Sequence, residues 1–142
     1  MGGYSMVKVI IGKRGIGKTK KIIDMANNLV KNCKGNVVFI DDDKKHMYDF
    51  KRDIRFISAD DFNLKDPRVF YGFLCGVISE DYDIDTIFVD GLTEIVGKGI
   101  ENYEELFDRL DKLSEQFKFN LIITINHEGP VPSYLEKYIM EV

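Results

Sequence analysis

The stretch Gly12–Lys13–Arg14–Gly15–Ile16–Gly17–Lys18–Thr19 carries the most specific chemical signal in the chain. It fits the pattern G-x-x-x-x-G-K-[ST] at every fixed position, a pattern suited to gripping a chain of phosphates. Glycines let a backbone close around phosphate oxygens in conformations that a Cβ forbids. Backbone N–H groups from about Gly15 to Thr19 can then form an anion nest, and the start of the following helix adds a favourable dipole. Lys18 offers a positive charge to the β- and γ-phosphates, and the Thr19 hydroxyl is a ligand for Mg²⁺. Gly12, Lys13, Arg14, Gly15, Ile16, Gly17, Lys18, Thr19 and Lys20 therefore form the expected nucleotide-binding set, with ATP and Mg²⁺ the expected ligands. The competing reading of the same octet is a glycine turn leading into a solvated basic helix.

A bound Mg²⁺ calls for a second element, an apolar strand that ends in an acid. Ile87–Phe88–Val89–Asp90 has that form. Thr19 and Asp90 are the expected metal-side residues, with Asp90 reaching the ion directly or through water.

These residues need elements to position them. Met6–Ile11 is a β-branched run closed by Gly12, which reads as a buried strand. From about Gly17 to Asn32, Ile22, Met25, Ala26, Leu29 and Val30 recur at helical spacing. Val37–Asp41, Ile54–Ser58, Thr86–Asp90 and Asn120–Asn126 read as further strands, and Tyr138–Val142 as a final edge strand. Asp66–Pro67 is a helix start, with an N-cap acid and Pro at the first helical position. The stripe Val69, Phe70, Phe73, Leu74, Val77, Ile78 follows it, and Gly72 and Gly76 would permit close packing there. Asn102 and Glu105 have the spacing of a capping box, ahead of a helix carrying Leu106, Leu110, Leu113 and Phe117 on one face. Gly91–Glu101 reads as partly irregular. Uniformly apolar strands alternating with helices predict an α/β fold. The expected sheet is mostly parallel, has about five strands and carries helices on both faces, giving three layers. The chain reads as one domain, 1–142, with Met1–Ser5 a disordered leader and Met6 the natural start.

In element order, and specifically at Gly12–Thr19, Thr86–Thr93 and Leu121–His127, the chain resembles the RecA-like branch of the P-loop NTPases. That branch has an extra strand between the two strands that carry the phosphate loop and the magnesium acid. The resemblance implies that the phosphate-loop strand lies beside the Asn120–Asn126 strand. It also implies that Asn126, or failing it His127, senses the γ-phosphate, and that a carboxylate after the second strand positions the attacking water. Asp41–Asp42–Asp43 occupies that place, with Asp42 the first candidate. Related branches put the acid directly after the magnesium Asp; here Gly91 stands there, and Glu94 is the nearest Glu. Lys18, Asp90, Asp42, Glu94 and Asn126 are thus the expected catalytic residues. A Glu is usual after the second strand, and its replacement by Asp departs from the family pattern.

Three functions are compatible with these parts. The first is a Mg²⁺-dependent ATPase, with an arginine supplied by Arg14, Arg52, Arg55, Arg109 or a neighbouring copy. The second is a nucleoside or nucleotide kinase, although Arg14, Arg52, Arg55, Arg68 and Arg109 are all the arginines available for a phosphate lid. The third is a nucleotide-gated binding module with little turnover, which the missing Glu favours. The GTPase pattern D-x-x-G is absent, because Asp90–Thr93 lacks its final glycine. A net charge of −4 argues against general nucleic-acid binding. A protein partner and a homo-oligomer remain compatible with the sequence. Cys33 and Cys75 have no metal-ligand spacing and read as buried free thiols, which points to a reducing, cytoplasmic setting. His46 reads as an exposed residue in a polar stretch. No apolar run is long enough to span a bilayer.

Overall fold

The structure is a computed structural model that describes residues 6–140. The leader at Met1–Ser5 lies outside the described residues, as do the last two residues of the edge strand expected at Tyr138–Val142. Five strands form one parallel sheet: β1 (Val7–Gly12), β2 (Asn36–Asp41), β3 (Ile54–Ser58), β4 (Ile84–Asp90) and β5 (Asn120–Asn126). The helices are α1 (Lys18–Leu29), α2 (Pro67–Ser79), the short α3 (Leu92–Val96) and α4 (Glu104–Phe117). Strand order is β1-β5-β4-β2-β3. β5 thus inserts between β1 and β4, and β1 runs in register beside it from Val7↔Leu121 to Gly12↔Asn126.

The uniform apolarity of the strands follows from burial on both faces. Side chains alternate across a strand, so successive residues serve different layers. Val37, Phe39, Ile54 and Phe88 meet Ile22, Ile23 and Ala26 of α1 on one face. Val38, Ile40, Ile87, Val89, Val9 and Ile123 meet the other helices on the opposite face. That second core is the larger, and it takes in Phe70 and Leu74 of α2, Ile95 of α3, and Phe107 and Leu110 of α4. The helices therefore form layers on both sides of the sheet.

Several local expectations change. The capping box does not form: Tyr103 occupies the N-cap of α4, and Asn102 lies in a 3-10 turn with its amide on the Gly99 carbonyl at 3.3 Å. The buried face of α4 includes Phe107, which is fully buried, whereas Phe117 at the helix end is 46% exposed. Of the expected final strand Tyr138–Val142, Ile139 makes a single parallel bridge to Val9, while Tyr138 ends a 3-10 helix that starts at Ser133. Its three-residue repeat follows from Pro132 at the N-cap and from Leu135 and Tyr138, which share one buried face. Gly91–Glu101 is more ordered than its glycines suggest, because Leu92, Ile95 and Val96 anchor α3 in the larger core. Both thiols are free but half-buried.

Gly72 and Gly76 provide no close approach. Both are exposed on α2, and a Cβ at either would meet nothing within 4 Å. Their only structural effect is the entropy lost in ordering a glycine in a helix interior. Gly72→Ala and Gly76→Ala are therefore each expected to stabilise the protein by about 0.5–1 kcal/mol, read by urea unfolding.

Candidate functional site

The C-terminal tips of the central strands converge on the turn between β1 and α1. Strand alternation and the parallel register set this up. Asp41 pairs in register with Asp90 on one side and with Ser58 on the other, while Gly12 pairs with Asn126. Asp41, Asp90 and Asn126 stand at even spacing from Phe39, Phe88 and Ile122, so they share the α1 face of the sheet. Three polar tips in a row thus face the first turn of α1.

The turn itself is shaped by glycine. Gly15 has φ 86° and Gly17 has φ 92°, left-handed conformations that cost a side-chain-bearing residue free energy. Gly17 is also the N-cap of α1 and provides no side-chain cap, so the helix offers its first N–H groups to whatever lies in the turn. Lys18 is only 6% exposed, and its Nζ donates to the Lys13 carbonyl at 2.7 Å. Burial lowers its pKa, while the nearby Asp90 and Glu94 carboxylates pull it back up.

Asp90 is held by hydroxyls on both of its oxygens. Thr19 Oγ1 donates to its Oδ2 at 3.0 Å and Thr124 Oγ1 to its Oδ1 at 2.5 Å. The Thr124 hydroxyl in turn accepts from the Gly91 N–H at 2.8 Å. Thr124 is not among the residues the sequence points to. Its only signal there is a polar side chain in the middle of the apolar β5, and only the neighbouring tip of β4 gives it a role.

Glu94 occupies a second centre. Its carboxylate accepts from Asn126 Nδ2 at 3.1 Å and from Thr93 Oγ1 at 3.0 Å, and it pairs with the Arg14 guanidinium at the tip of the turn. Burial opposes its ionisation, but the Asn126 and Thr93 hydrogen bonds, with Arg14, outweigh that and hold its pKa below the usual value. Glu94 lines two clefts. One, of about 420 Å³, is shared with Lys13, Arg14, Asn126 and His127. The other, of about 460 Å³, is shared with Asp42, Asp60, Asp61 and Lys65.

The remaining candidates divide clearly. Asn126 reaches Glu94, whereas the His127 ring turns to the Pro130 carbonyl at 2.9 Å. Asp42 is half-buried and faces Glu94 only across the second cleft. Ile16 is 52% exposed at the tip of the turn, and Lys20 pairs along the outside of α1 with Asp24. Of the proposed arginine donors Arg14 touches the site, whereas Arg55 pairs with Glu80, and Arg109 pairs with Glu105 and lies over the Tyr71 ring. His46 is half-buried rather than exposed, with its Nδ1 3.0 Å from Asp49 Oδ2.

Asp41 behaves differently from its neighbours. It is 2% exposed, and burial, reinforced by Asp42 and Asp90, pushes its pKa up from 3.8 to about 8. Between those values the folded chain holds a proton that the unfolded chain has released, so the contribution of Asp41 to stability falls as pH rises from 3.8 to about 8. In chelator-treated protein, Asp41→Asn is expected to remove that slope and to be the more stable form at pH 8 by about 1–3 kcal/mol, read by urea unfolding across pH. Thr124→Val is expected to cost about 1–3 kcal/mol, because it leaves both Asp90 Oδ1 and the Gly91 N–H short of a partner. Thr124→Ser should recover most of that loss in the same unfolding assay.

Comparison of the chain with models of known protein families and with curated proteins finds no match to either.

Proposed function

We propose that the chain binds a nucleoside triphosphate, ATP first among them, together with Mg²⁺, and hydrolyses it slowly. The observation that carries this reading is the contact between Thr19 Oγ1 and Asp90 Oδ2 at 3.0 Å. It joins the last residue of the phosphate-type turn to the acid that ends a buried strand, across 71 positions of sequence. A hydroxyl and a carboxylate so paired fit the oxygen-only ligand preference of Mg²⁺. The left-handed glycines and the uncapped start of α1 fit a bound phosphate chain equally well. When bound, Mg²⁺ would neutralise charge developing on the phosphates.

In this reading each side chain has a defined task. Lys18 exchanges its bond to the Lys13 carbonyl for phosphate oxygens. Thr124 fixes the orientation of Asp90. Glu94 is favoured over Asp42 as the water-positioning carboxylate, because it is ionised, shares a cleft with the turn and is oriented by Asn126. Arg14 neutralises Glu94 and stands near enough to the turn to contribute positive charge to the phosphates. The second cleft beside Glu94 supports one further reading, transfer to an acceptor bound among Asp42, Asp60 and Lys65. Phosphate released from ATP in the absence of any acceptor separates hydrolysis from transfer.

Isothermal titration of ATP, GTP and ADP with Mg²⁺ tests the binding claim. Lys18→Ala is expected to weaken triphosphate binding about 10–100-fold, the value of a charge-assisted contact. Equal affinity in wild type and variant would overturn the assignment. Glu94→Gln is expected to keep affinity and lower phosphate release by about 10²-fold or more.

A further inference from the structure

The carboxylate at the tip of β2 has an unanswered oxygen. Asp41 is 2% exposed, and its Oδ1 accepts the Asp42 N–H at 2.8 Å. Its Oδ2 is buried without a hydrogen-bond partner. Two lysines of the neighbouring segments have partners elsewhere. Lys18 donates to the Lys13 carbonyl, and Lys44 is held by Asp61 at 2.5 Å. The register neighbours of Asp41 are a second carboxylate, Asp90, and Ser58, whose buried hydroxyl likewise has no partner. When ionised, a carboxylate that deep needs a positive charge or a donor, and among the described residues no group hydrogen-bonds that oxygen.

Two further carboxylates follow it in sequence. One oxygen from each of Asp41, Asp42 and Asp43 lies within 4.8 Å of the others. Side chains this close repel one another when ionised. The strand end therefore gathers three oxygen ligands at graded depth, from the buried Asp41 through the half-buried Asp42 to the exposed Asp43. The Lys45 N–H occupies one oxygen of Asp43, at 2.9 Å from Oδ1, and leaves the other.

We propose that Asp41, Asp42 and Asp43 hold a divalent cation of their own, distinct from the ion assigned to Thr19 and Asp90 and bound without nucleotide. The ligand set is carboxylate oxygen throughout, which selects a hard cation over zinc or copper. The ligand oxygens all lie within 4.8 Å of one another, and the large, flexible coordination shell of Ca²⁺, with bonds of about 2.3–2.6 Å, suits that spacing better than the shell of a smaller ion. Mg²⁺, with bonds of about 2.0–2.1 Å, would require the three side chains to close further. Asp42 lines the cleft of about 460 Å³ described above, which gives the ion a route in and room for water at its remaining positions. A cation here neutralises the carboxylate beside Asp90 and pins the turn that leads from β2 to His46. The proposal is independent of the triphosphate reading.

The test counts Mn²⁺ bound to chelator-treated full-length protein, free of nucleotide, by electron paramagnetic resonance, with Ca²⁺ as competitor. One site with Kd between about 10⁻⁵ and 10⁻³ M is expected, displaced by Ca²⁺. Asp42→Asn and Asp43→Asn lie on half-buried and exposed positions, so they should fold and weaken binding about tenfold or more. Asp41→Asn should abolish it. Thr19→Ala and Lys18→Ala should leave Mn²⁺ affinity unchanged, even where Lys18→Ala loses ATP. The proposal is overturned by a wild-type protein that binds no Mn²⁺ at millimolar concentration. It is equally overturned by binding that survives both Asp42→Asn and Asp43→Asn, or that disappears in Thr19→Ala.

Discussion

A buried carboxylate at the tip of the middle strand has to be answered by its surroundings, and in this protein much of the site follows from how Asp90 is answered. At 7% exposure it has little water to turn to. It is held instead by two hydroxyls from opposite directions, Thr19 in the first turn of α1 and Thr124 on the adjacent strand β5. The first bond fixes where α1 begins relative to the sheet. The second locks the tips of β4 and β5 together and uses the Gly91 N–H to polarise the Thr124 hydroxyl. Moving any one of these three elements would leave a buried charge short of a partner, which costs far more than an ordinary hydrogen bond is worth.

The two faces of the sheet divide the labour. α1 covers one face, so the polar strand tips on that face open directly onto the turn Gly12–Thr19. The other face carries the larger core. That core anchors the five-residue helix α3 through Leu92, Ile95 and Val96, and a helix so short owes its order to this packing. Glu94, on the first turn of α3, is thereby carried from the far layer to the mouth of the turn, where Asn126 and Arg14 meet it. Packing on one face of the sheet thus supports charge placement on the other.

The charges at the strand tips are balanced unevenly. Glu94 gains enough from its donors to stay ionised despite burial, and Lys18 remains between two acids. Asp41 has only the Asp42 N–H as a donor, and burial dominates it. Two carboxylates that are register partners on neighbouring strands therefore sit in opposite electrostatic conditions, Asp90 with two hydroxyl donors and Asp41 with one buried oxygen unanswered.

The amino-acid sequence alone determined the α/β class, the parallel strands, the turn Gly12–Thr19 and the strand-ending acid Asp90. These features are local: an apolar run, a helical spacing or a glycine requirement is written in adjacent residues. The same locality misjudged Asn102 and Glu105, whose spacing suits a cap that the chain leaves unused because Tyr103 is drawn into the core at the start of α4. It also left Asp42 and Glu94 as alternatives, because distance along the chain says nothing about which acid faces the turn. Strand order and register decided that Glu94, and not Asp42, meets Asn126 and Arg14. They also gave Thr124 its place against Asp90 and buried Asp41 beside a second carboxylate. Such relations exist only between residues tens of positions apart, brought together when two helical layers close over a sheet with alternating side chains.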